Sequence, residues 1–227
     1  MTISKYRNDH PPLLFNNTHL AETDTNKHLG LLFHHSLSWH TPIIHLHQKV
    51  MTKINRLFVN SFVNLVLRHA LLTINKMNIL PVFDYGNIIY DNCSDYNNRM
   101  LDKPQLSAAK ITLGCLETTS FNDVLADLNL INLNLRRKIS LLCYVSKLIF
   151  GMVPCPFPAS SFRSFKEFVP YALRHNQNVQ IPLLKKSLSC NFFLRKASSL
   201  WNSLPLEIKS SASHSTFMNR LNSHYQI

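Results

Sequence analysis

The chain has 227 residues, 24 of them Lys or Arg and 12 Asp or Glu, giving a formal net charge of +12 and a pI near 9.7. A 45% hydrophobic content can build a core for one large domain or two small ones, so a disordered chain is excluded. Five cysteines, with no C-x-x-C, argue against a disulfide framework or a zinc knuckle and for reduced thiols.

The cations are dispersed, with no run of five like charges, which predicts a folded basic surface rather than a basic tail. Such an excess points to an anionic partner, most commonly nucleic acid. The start, MTISKYRNDHPP, has no apolar h-region of a signal peptide. The most apolar stretch, LFVNSFVNLVLRHALLTI, is interrupted by Asn60, Asn64, Arg68 and His69, and it reads as a buried helix rather than a membrane span. The expectation is an intracellular protein, in cytoplasm or nucleus, with no membrane partner.

In chain order, PLLFNN and HLGLLF are apolar runs read as two short strands of one N-terminal β-hairpin. The histidine-rich stretch HHSLSWHTPIIHLHQK follows. Helical metal ligands need i, i+3 or i, i+4 spacing to share a face, and no pair among His34, His35, His40, His45 and His47 has it. Pro42 fits the first turn of a helix, which puts the first three histidines before that helix and the last two on it. No metal site is expected.

Helices are predicted near 42–59, 63–79, 95–113, 120–128 and 133–150. On the first, Ile43, Leu46, Val50, Ile54 and Leu57 make an apolar stripe, and His45, Lys49, Lys53 and Arg56 make a basic stripe roughly a quarter turn away. Pro104 should kink or shorten the third helix. Ser120 and Asp123 resemble a capping box, and Gly151 followed by Pro154 marks a helix end. Residues 152–182, with five prolines and Arg163, Lys166 and Arg174, read as an irregular linker. Phe192, Phe193, Trp201, Leu204, Phe217 and Leu221 predict a small C-terminal helical cap. The fold class is therefore mainly α: a helical bundle preceded by a short β-hairpin.

No phosphate-loop, dinucleotide, zinc-protease or nucleophile-elbow motif occurs. Asp123 and Asp127 share a helical face, and they read as a capping acid and a surface acid. Asp84, Asp91 and Asp95 have no spacing that forces the convergence two-metal chemistry needs. The residues alone give a basic helical binding module without an active site.

Six strings, in order over roughly residues 13–221, resemble the C-terminal part of the reverse transcriptase of non-LTR (LINE-type) retrotransposons of the jockey and CR1-like group. They are NKHLGLLFHHSLSWHTPI, ILPVFDYGNIIYDNC, MLDKPQLSAAKITLG, LNLINLNLRRKISLLCYVSKLIFGMVP, YALRHNQN and LWNSLP. The resemblance implies residues 1–40 as the end of a palm with a primer-grip-like hairpin, carrying His28, Leu29 and Gly30. Residues 41–151 would be a helical thumb, 152–182 a linker and 183–227 a C-terminal helical segment.

The partner implied is RNA or RNA–DNA hybrid, held through phosphates by His45, Lys49, Lys53 and Arg56. Arg136 and Arg137 match paired arginines of the family, either as nucleic-acid contacts or as braces of a helix junction. The family's catalytic palm uses three aspartates, two of them adjacent, and no Asp-Asp pair occurs here. MTISKYR resembles the strand just after that centre. The chain is thus expected to lie downstream of a palm in a longer polyprotein, or to be a truncated copy. No catalytic residue and no cofactor is assigned to it, Mg2+ belonging to the parent polymerase. His34, Pro42, Tyr90 and Pro104 depart from the family pattern. The alternative reading is a non-catalytic helical interaction module or a transposon relic.

Overall fold

The computed structural model describes residues 14–19, 23–56, 67–115, 118–154, 177–181 and 193–226. Leu57, Phe192, the linker cations Arg163, Lys166 and Arg174, and Cys155 and Cys190 lie outside the described residues. Two compact units divide the chain at Leu133 and Asn134. The described residues are mainly helical, with short antiparallel strands preceding a helical bundle and with helices at the C-terminus.

The apolar runs near the N-terminus do not pair with each other as expected. Each forms its own hairpin: β1 (Leu14–Phe15) with β2 (Thr18–His19), and β3 (Thr25–His28) with β4 (Leu31–His34). The reason is turn geometry. Asn16 and Asn17 both have positive φ, as do Leu29 and Gly30. Two consecutive left-handed residues make the tight turn whose twist suits a two-residue hairpin. HLGLLF is thus a strand end, a turn and a strand.

Helix α1 (His40–Ile54) starts two residues before the predicted position, with Pro42 in its first turn. Ile43, Val50 and Ile54 are buried, and Leu46 packs against them. Its main partner is α4 (Asp95–Leu113), where Leu101, Ala108 and Ala109 are fully buried. Pro104 does not shorten α4: it is buried within it. Its missing N–H deprives only the Met100 carbonyl of an intrahelical donor, and its burial offsets part of that loss.

The predicted helix 63–79 starts later among the described residues, at Arg68, because Leu67 is extended (ψ 138°) and exposed, and it continues beyond its predicted end. It comprises α2 (Arg68–Ile74), a π-helical stretch (Asn75–Ile79) and α3 (Leu80–Asp84). Pro81 explains the irregularity. It can neither donate a hydrogen bond nor leave its predecessor unrestricted. The wider turn lets Leu80 N–H bond to Asn75 C=O, five residues back, and Pro81 then stands in the first turn of α3.

Helix ends share one device. After α4, Cys115 N–H bonds to Lys110 C=O and Gly114 N–H to Ile111 C=O. After α5 (Phe121–Asp127) and α6 (Leu133–Ile149), Leu130 and Met152 make the equivalent bonds to Leu125 and Lys147. The left-handed residues are Gly114, Asn129 and Gly151. Ser120 is the N-cap of α5, but its side chain makes no capping bond, so the expected capping box is not formed.

The second unit carries α6 and, near the C-terminus, α7 (Phe193–Ser203), α8 (Leu206–Lys209) and α9 (His214–Tyr225). Trp201 stacks on Phe217 with ring centroids 5.3 Å apart, and Leu204 and Leu221 are buried with them, as the predicted cap requires. Residues 177–179 are clamped onto α7. Asn202 accepts from Val179 N–H at 2.8 Å and donates to Val179 C=O at 2.9 Å, while Trp201 Nε1 donates to Gln177 C=O at 3.1 Å. Lys209 Nζ donates to Asn178 Oδ1 and Asn202 C=O. Burial pushes the Lys209 amine below its ordinary 10.5. The folded state then binds fewer protons than the unfolded chain, so this group's contribution to stability rises as pH climbs toward 10.5.

Two outcomes are expected in urea unfolding. Gly86 has φ +68°, and a Cβ there would lie 2.8 Å from both Cδ atoms of Leu31. Gly86→Ala should therefore lose about 2 kcal/mol through strain and overpacking, and an unchanged midpoint would refute that packing. Asn202→Ala strands a buried N–H and C=O of Val179. It should cost about 2 kcal/mol and expose Trp201, seen as a red-shifted emission.

Candidate nucleic-acid interface

The site is built where the β3–β4 turn meets α1 and the turn after α3. Leu29 and Gly30 form the tip of the hairpin. The Tyr85 hydroxyl donates to the Leu29 carbonyl, and Gly30 faces the Tyr85 ring so closely that a Cβ would stand 3.4 Å from Cε1. Next to Tyr85, Gly86 leaves room for Leu31. At the other end of the hairpin, His35 N–H bonds to Asp24 C=O at 2.9 Å. The two side chains also approach to 3.5 Å, without an aligned hydrogen bond.

Helix α1 is anchored at its start. His40 Nδ1 lies 3.0 Å from Asn97 Oδ1 in the first turn of α4, and Phe33 packs on Trp39 with centroids 5.9 Å apart. The result is a small open groove of about 50 Å³ whose walls include Gly30, Trp39, His45, Lys49, Val82 and Tyr85. Among the described residues, no acidic side chain lines it.

The candidate residues divide. Gly30, His45 and Lys49 come together at the groove, with His45 and Lys49 exposed. His28 and Leu29 are at the adjoining hairpin end, both exposed. Lys53 is half-buried, and its Nζ donates to Asn78 C=O at 3.2 Å, tying α1 to the π-helical stretch. Arg56 is exposed just beyond the end of α1. At 1.5 Å rise and 100° per residue, His45 to Arg56 spans about 16 Å within an arc of about 80°. Arg136 and Arg137 stand on α6, in the second unit. Arg137 is only 4% exposed, which suits a brace better than a group offered to a polyanion.

The histidines of residues 34–40 have separate tasks. His34 Nδ1 pairs with Ser36 Oγ at 2.7 Å, His35 faces Asp24, and His40 meets Asn97. Among the described residues, no group of three or more His, Cys, Asp or Glu side chains could hold a metal ion. Among them, too, no helix is long and apolar enough to cross a membrane.

Val82 and Tyr85 were not singled out as site residues from the sequence. They lie more than thirty residues beyond Lys49 in the chain, and only the π-helical stretch and the Tyr-Gly turn bring them beside it. None of the protein-family models, curated proteins or solved structures compared with this chain matches it.

Leu29 is 77% exposed and strained at φ 47°, so it gives up little burial if replaced. Leu29→Asn should relieve about 1 kcal/mol and slow amide hydrogen exchange in β3 and β4 about fivefold. Faster exchange would contradict the assigned turn.

Proposed function

We propose that this chain is the primer-grip, thumb and tail part of a non-LTR, LINE-type RNA-directed DNA polymerase, and that it holds RNA or RNA–DNA hybrid through phosphate contacts. The observation that carries the reading is the groove. Gly30, from the segment that resembles a primer grip, and His45 and Lys49, from the segment that resembles a thumb, line one cleft that no acidic side chain among the described residues lines. The net charge of +12 and the basic arc from His45 to Arg56 support it.

Contacts of this kind give affinity and orientation, not base readout. The catalytic aspartates and their Mg2+ would belong to an upstream palm, a partner in the same polyprotein. The reading assigns no proton transfer or metal to these residues, and polymerisation by this chain alone is not expected. His45, Lys49 and Arg56 would meet phosphates directly. Lys53, bound to Asn78, would contribute through its charge and by fixing the end of α1.

The test is a titration of labelled RNA–DNA hybrid at several salt concentrations. Three direct phosphate contacts and the charge of Lys53 predict that log affinity falls with log salt at a slope of roughly −3 to −4. The Lys49→Ala/Lys53→Ala/Arg56→Ala variant should flatten that slope by about two to three. Salt-indifferent affinity, or a variant that binds as before, refutes the proposal. Binding no stronger than that of an unrelated protein of equal charge would leave a helical interaction module instead.

A further inference from the structure

We propose that the groove between the β3–β4 turn and α1 takes an unpaired nucleobase of single-stranded nucleic acid, with the flanking phosphate on Lys49. This deepens the nucleic-acid reading above and rests on it.

The argument starts from Tyr85. Its hydroxyl is tied to the Leu29 carbonyl and Gly30 lies against its ring, yet the residue remains 54% exposed. A tethered aromatic ring that stays open to solvent is held ready without being used by the core. Trp39 stands in the same groove, half-buried, at the start of α1. The groove thus offers flat apolar surface flanked by the exposed imidazole of His45 and the exposed cation of Lys49. The complementary ligand carries a flat ring and a negative charge a few bonds away, which describes a nucleotide. Base–aromatic stacking tolerates any base, because every base has a π face. A base inside a duplex has both faces covered by its neighbours, so the occupant must come from a single strand, an overhang or a frayed end.

The probe is a single-stranded tetranucleotide, compared with an abasic tetramer of the same charge, titrated into the full chain with tryptophan emission as readout. Trp39 lines the groove and Trp201 is only 2% exposed, so quenching reports on the groove. The base-bearing strand should saturate at a roughly tenfold lower concentration than the abasic one. Tyr85→Phe keeps the ring and should keep that ratio, whereas Tyr85→Leu should abolish it. Should Tyr85→Leu fail to fold, the abasic comparison on the unaltered chain still decides.

Equal affinity for the two strands overturns the inference, as does stronger quenching by an acidic peptide of matching charge. If the tetranucleotide fails while hybrid binding keeps its salt dependence, the base pocket is wrong and the proposed function stands. If both fail, the nucleic-acid reading itself falls.

Discussion

The contact between the tip of the β3–β4 hairpin and the turn that begins at Tyr85 is the constraint on which the candidate site depends. An isolated two-stranded hairpin is marginal in water. This one is held by Leu31 packed where Gly86 has no side chain, and by the Tyr85 hydroxyl on the Leu29 carbonyl. The two segments are 56 residues apart in sequence. Gly86 serves twice: its positive φ makes the turn, and its missing Cβ makes the space. Without that contact Gly30 would not face Lys49 across a groove, and the basic face of α1 would be a solvated stripe like many others.

Behind the groove, α1 and α4 supply the rigidity. The apolar stripe of α1 is buried on a helix whose own interior contains Pro104, Gln105 and Thr112. The polar members are only partly satisfied. Gln105 Nε2 reaches Ile131 C=O at 2.9 Å and Asn75 Nδ2 reaches Thr112 Oγ1 at 3.5 Å, while Gln105 Oε1 and Asn75 Oδ1 make no hydrogen bond. Such groups weaken a core relative to apolar replacements, though they restrict how its helices can slide. The π-helical stretch has a comparable role. It buries Asn75 and Ile79 and re-aims the following turn, so that Tyr85 arrives beside the hairpin.

The helical part of the fold was legible because it rests on periodicity and on local stops. Ile43, Val50 and Ile54 announce the buried face of α1, and the glycines at 114 and 151 end their helices as left-handed caps should. The strand pairing was misread because an apolar run looks continuous in sequence. Leu29 can occupy a left-handed turn position only because Tyr85 and Gly86 over-determine it, and that information lies far along the chain. Pro104 was misleading for a similar reason: the helix runs through it and buries it. Of the candidate residues, the stripe on α1 was readable from spacing. The convergence of Gly30 with Lys49 was not, and neither was the burial of Arg137.

The most direct test of the central claim is photocrosslinking of an RNA–DNA hybrid carrying a short single-stranded overhang and photoactivatable bases, followed by mass-spectrometric mapping. The account predicts crosslinked peptides from the hairpin tip through α1, together with the peptide containing Val82 and Tyr85. Crosslinks confined to the second unit, or spread over surface lysines without preference, would contradict it.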